Sequence, residues 1–85
     1  MQQKRTKATI KEVLEELIDE LVSKGILWSE AVAVFEKLYI LRALRECRGN
    51  VSRASETIGV HRNTLSKKIR EYGIDRKKAA ALKPD

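Results

Sequence analysis

The sequence predicts an all-α fold. Two long segments repeat their apolar residues at helical spacing, and capping or stop residues bound them. Helix breakers are scarce: Pro occurs once, at position 84, and Gly four times, while Leu, Glu, Lys, Arg and Ala dominate. Eighty-five residues form one structural domain whose core is marginal by itself, so a partner subunit or very regular helix packing is expected.

Residues 1–8 are polar and basic, without periodicity, and are expected to be a flexible arm. Thr9 with Glu12 matches a capping box that opens the first helix. Ile10, Val13, Leu14, Leu17, Ile18, Leu21 and Val22 share one face of it; Lys11, Glu12, Glu15, Glu16, Asp19 and Glu20 occupy the other. Gly25 ends it. The apolar stripe is wider than a two-per-heptad seam, and both a core and a dimer interface suit it. A second helix is expected from an N-cap at Ser29 to about Cys47. Its middle is apolar nearly all round (Val32, Val34, Phe35, Leu38, Tyr39, Ile40, Leu41, Ala43, Leu44), which predicts a central strut buried on several sides. Trp28 just before it reads as a packing lid.

The elements then shorten. Residues 51–58 form a helix, Gly59-Val60 a break, and a further helix runs from about Arg62 to Glu71, closed by Gly73. Residues 76–85 form a basic tail, either extending as helix for a turn or loose. The expected organisation is an arm (1–8), two longer helices suited to dimerisation (9–47), a unit of two short helices (48–75) and the basic tail (76–85).

The chain carries 18 Lys and Arg against 12 Asp and Glu, a formal charge of +6. Its distribution matters more than its sum. The first helical segment is acidic, residues 25–47 are neutral, and the positive charge gathers in residues 48–78. A helix acidic on its polar face does not suit an anionic membrane surface. One Cys and one His, with no glycine-rich phosphate loop and no metal-ligand spacing, argue against an enzyme, a metal site or a cofactor. Cys47 is expected to be a small core residue. With no signal peptide or spanning segment apparent, the expected location is the cytoplasm.

Two short helices joined by a tight turn containing Gly are the sequence form of a helix-turn-helix. Gly59 supplies the positive φ that the turn requires, Ala54 and Ser55 are small enough for close helix approach, and Ile58, Val60, Leu65 and Ile69 are spaced to fill the wedge. The second short helix presents His61, Arg62, Asn63 and Thr64, then Lys67, Lys68 and Arg70. In such a motif the first turns of the recognition helix face base edges in the major groove. Arg can grip guanine, and Asn adenine, through two hydrogen bonds. The later cations have the reach for phosphates. Asn50 and Ser52 flank the preceding helix N-terminus, where both capping and phosphate binding are open.

FEKLYILRAL at 35–44 and GNVSRASETIGVHRNTLSKKIREYGI at 49–74 resemble the Fis family, which includes the C-terminal DNA-binding domains of bacterial enhancer-binding activators of the NtrC type. The resemblance covers a little over half the chain. It implies a four-helix protomer in an intertwined homodimer, with Ile10, Leu14, Leu17, Leu21, Phe35 and Leu38 at the dimer interface. It implies base contacts from His61, Arg62, Thr64 and Lys67, and backbone contacts from Asn50, Ser52, Arg53, Ser66, Lys68 and Arg70. It also implies a transcriptional regulator that bends double-stranded DNA at the nucleoid, without small-molecule substrate. His61 departs from the family's usual Ser or Asn, Ser66 from a larger Tyr or Arg, and Ser55 from Ala. The short arm is not expected to form the β-hairpin through which recombination is stimulated. The rival expectation is a helical adaptor that binds another protein and no DNA.

Overall fold

The computed structural model describes residues 9–81. The expected arm at 1–8 and the last four residues of the tail lie outside them. The described residues are helical throughout, with five helices: α1 (Ile10–Ser23), α2 (Trp28–Glu46), α3 (Val51–Ile58), α4 (Arg62–Glu71) and α5 (Arg76–Ala81). They fall into two compact units, 9–32 and 33–81, divided inside α2.

In the first unit, α1 starts where the local chemistry dictates. The Thr9 hydroxyl accepts from the Glu12 N–H at 3.1 Å, and the Glu12 carboxylate accepts from the Thr9 N–H at 2.9 Å. Two otherwise orphaned donors are thereby satisfied. Lys11–Glu15 and Lys24–Glu20 pair on the exposed side. None of the α1 residues is buried. An amphipathic helix of 14 residues with an open apolar face is marginal in water, since helices of about 12–15 residues depend on tertiary packing.

Two expectations at the start of α2 are corrected. Ser29 is not its cap: the helix begins one residue earlier, and the Glu30 carboxylate reaches back 3.2 Å to the Leu27 N–H. Glu30, three residues on from Leu27, reaches back to the N–H at the start of the helix, as a Glu in the first turn does in a capping box. Trp28 is not a lid within the chain, being 85% exposed.

The second unit contains the core. Ile40, Ala43 and Leu44 of α2, Val51 and Ala54 of α3, Leu65 and Ile69 of α4, and Ala79 of α5 are buried together. Leu41, Cys47, Ile58, Val60, Tyr72 and Ile74 pack against them. The strut is thus buried only along its C-terminal part; Val34, Phe35, Leu38 and Tyr39 are exposed, with the Phe35 and Tyr39 rings 5.5 Å apart. The count of four helices is also corrected. Of the two outcomes open for the basic tail, the helical one holds over Arg76–Ala81, because the Asp75 carboxylate caps α5 and Ala79, 1% exposed, inserts into the core.

Candidate nucleic-acid interface

The α3–α4 turn is built from its residues upward. The Asn50 side chain accepts from the Arg53 N–H at 3.0 Å and starts α3. Ala54 and Ser55 face inward, and the Ser55 hydroxyl donates to the Ser52 carbonyl at 2.8 Å, so this buried hydroxyl is paired. Gly59 then adopts φ 72°, a left-handed conformation that costs a residue without Cβ little. The Val60 N–H returns to the Ser55 carbonyl at 3.0 Å, closing the helix end. His61 opens α4: its Nδ1 accepts from the Asn63 N–H at 3.1 Å. The imidazole therefore serves as the N-cap of α4.

Helix α4 divides cleanly. Leu65 and Ile69 are buried against α2 and α3 residues, while His61, Arg62, Asn63, Thr64, Lys67 and Arg70 are exposed and Ser66 is half-buried. Asn63, Ser66, Lys67 and Arg70 follow the i, i+3, i+4, i+7 spacing of one helical stripe opposite the buried residues. Asn63, which belongs with the base-capable residues of the first turn although the resemblance does not imply a contact for it, stands on this stripe with Lys67 and Arg70. At the first turn of α3, Asn50, Ser52 and Arg53 are exposed. Asn50 serves as the cap through Oδ1, and its amide N–H groups remain suited to a phosphate oxygen.

Lys68 is placed differently from the other cations. Its Nζ lies 2.9 Å from Glu36 Oε1 of α2, and the Tyr72 hydroxyl donates to the same oxygen. Only a third of its side chain is exposed. In the free chain Lys68 ties α4 to α2 and does not stand on the outward stripe. Tyr72 first and Lys68 second hold the Glu36 carboxyl below the usual carboxylate range. Hydrogen bonding to Glu36 in turn raises the Lys68 ammonium and Tyr72 phenol above their ordinary values.

The cluster's contribution is thus full across neutral pH. On the acid side it is intact above the ordinary carboxylate value and fades as pH falls through Glu36's lowered one. On the basic side it is intact below the ordinary phenol and ammonium values and fades as pH rises through the raised ones. Melting wild type and Glu36→Gln side by side across pH should show the largest Tm gap near neutrality, closing at both extremes. A gap independent of pH would mean that the ionised cluster adds nothing.

The residues expected at a dimer interface remain uncovered. Ile10 and Leu17 are 81% and 49% exposed; Leu14, Phe35 and Leu38 are exposed too, and Leu21 is half-buried. Phe35, with Tyr39, Ile40, Ile58, Val60 and Leu65, lines an open, mainly apolar cleft of about 250 Å³.

No helix among the described residues is long and apolar enough to cross a membrane. Residues 31–72 match the family described as "Bacterial regulatory protein, Fis family". A protein of Xylella fastidiosa named as Fis-like and DNA-binding is 49% identical over 35 residues, 41% of this chain and 39% of that one. The DNA-binding transcriptional regulator NtrC of Rhizobium meliloti is 46% identical over 56 residues, 66% of this chain and 11% of the regulator. The DNA-binding protein Fis of Vibrio atlanticus is 33% identical over 69 residues, 81% of this chain and 68% of that protein. The chain thus spans well under two thirds of the Xylella and Rhizobium relatives, and nearly all of the matched NtrC lies outside the alignment. No solved structure matches the chain. A helix-turn-helix with these caps, this turn and these relatives has one place: the chain belongs to the Fis family of bacterial regulatory proteins.

Proposed function

We propose that the chain is a transcriptional regulator that binds double-stranded DNA as a homodimer, laying α4 of each protomer in a major groove. The observation that carries this is the division of α4, with its apolar anchors Leu65 and Ile69 buried and its polar, cationic stripe standing in solvent. The names of the relatives, which are DNA-binding proteins, support it. In this reading residues 9–47 assemble the dimer, 48–75 bind DNA, and the protein works in the cytoplasm at the nucleoid. Neither catalysis nor a cofactor is part of it.

Arg62, Asn63, Thr64 and Lys67 are the groups for base edges, with His61 capping the helix that carries them. Asn50, Ser52, Arg53, Ser66 and Arg70 serve the phosphates. Lys68 acts through Glu36, holding α4 in place. The uncovered faces of α1 and α2 supply the dimer contact, since fully burying one Leu or Phe there is worth about 1.5–3 kcal/mol. Two recognition helices set close together bend the duplex to reach both grooves, so deformability contributes to site choice.

Titrating duplex DNA at two salt concentrations tests the reading. Affinity should fall steeply as salt rises, because each phosphate neutralised releases counterions. An absence of binding at low salt would leave the adaptor role in its place. Arg62→Ala should weaken binding to the preferred site by about 1–3 kcal/mol and flatten base preference, as loss of a two-pronged base contact does. A variant that keeps its preference removes Arg62 from the base-reading set.

A further inference from the structure

We infer that α5 and the α2–α3 turn form a second anion site, which grips DNA phosphates flanking the groove occupied by α4. The inference rests on the DNA-binding reading above. It starts from the placement of α5. The Asp75 Oδ1 accepts from the Lys77 and Lys78 N–H groups at 2.9 and 3.2 Å, and Ala79 locks the helix into the core. Its first residues are thereby fixed, not trailing.

Gly49 brings the turn against α5. It sits at φ 82°, and a Cβ there would lie 3.2 Å from both the Ala80 Cβ and the Arg76 carbonyl oxygen. Only a residue without a side chain allows that approach. Arg48 beside it is also left-handed, at φ 54°, the one non-glycine residue so placed among those described.

The result is a small cleft of about 160 Å³ walled by Arg48, Arg76 and Lys77, with Gly49 and Ala80 at its base. All three cations are exposed, and among the described residues none of the ion pairs joins them to a carboxylate. The nearest acid in sequence, Asp75, already spends an oxygen on the cap. Like charges gathered without a counter-charge repel, and an entering anion relieves them.

Along the chain the turn leads from Arg48 and Gly49 into the Asn50 cap and the first turn of α3, where Ser52 and Arg53 are exposed. A polyanion held by α4 and α3 therefore meets these cations if it runs on past them. Duplex DNA is the polyanion that does so, with about one negative charge per 1.7 Å of axis.

The test uses the full chain and two duplexes with the same central site. One ends at the site, and the other extends by about one helical turn, 10 base pairs, on each side. Wild type should bind the long duplex several-fold more tightly. Arg76→Gln with Lys77→Gln should bind the short duplex as wild type does and lose the gain from length. Its log K against log salt on the long duplex should be shallower by about 0.9 per contact removed. Arg48→Gln, on the opposite wall, should lose the gain as well, which separates the site from any local fault in α5. Equal binding of both duplexes by wild type, or an undiminished gain in the variants, overturns the inference and leaves the α4 reading intact. Binding to neither duplex overturns the reading itself, and the flanking site falls with it.

Discussion

Leu17→Asp is expected to leave the chain monomeric and α1 largely unfolded. Leu17 lies at the centre of a stripe in which no residue of α1 is buried by its own chain. The helix is amphipathic, yet its apolar face carries no buried residue, and Leu17 remains half exposed. Placing a carboxylate in that seam removes the burial of a Leu, worth about 1.5–3 kcal/mol per side chain. It also adds the desolvation of an unpaired charge, which costs several kcal/mol more. The change would occur twice in a symmetric dimer. Sedimentation equilibrium should show a monomer and circular dichroism a loss of helix, with DNA affinity falling because two half-sites are no longer bound together. Glu15→Gln on the polar face is the control and should leave assembly unchanged. A Leu17→Asp protein that still sediments as a dimer would place the interface elsewhere.

What the sequence makes legible follows from the range of the forces involved. Thr9 and Glu12, Asn50 and Arg53, or Gly59 within its turn interact over a few residues, so spacing alone exposes them. The bounds of α3 and α4 follow from such signals. α5 is left as one of two alternatives by the sequence, because six residues with a basic first half show no amphipathic period. The helix exists through the Asp75 cap and the burial of Ala79, and the latter needs the rest of the core. Lys68 reads as one more cation for phosphates because its partner, Glu36, is 32 residues away on another helix. Trp28 reads as a lid because a large aromatic is usually covered, and covering it requires a surface that the protomer's described residues do not supply.

Leu65→Ala is expected to produce the largest loss of stability confined to one protomer and, with it, loss of DNA binding. Leu65 is 1% exposed and joins α4 to the Ile40, Leu44 and Ala54 cluster. Truncating a fully buried Leu costs about 2–5 kcal/mol, depending on how far the cavity collapses. The neighbouring walls, α2 and α3, are themselves held by Leu44 and Ala54 at 0% exposure, so little collapse is available and the upper part of that range is expected. Against a native stability of about 5–15 kcal/mol for a domain, this is a large fraction. Denaturant unfolding should show a lowered midpoint with an unchanged slope. The functional consequence follows from position: Arg62, Asn63, Lys67 and Arg70 are aimed outward only while Leu65 and Ile69 are held inward. A partly stable Leu65→Ala protein should therefore lose affinity for every duplex, whereas Arg62→Ala should lose chiefly the preference among them. Leu65→Met, which nearly conserves volume, should restore most of the stability and the binding together, at a cost below about 1.5 kcal/mol. Restored stability without restored binding would show that burial of Leu65 is not what orients the outward stripe.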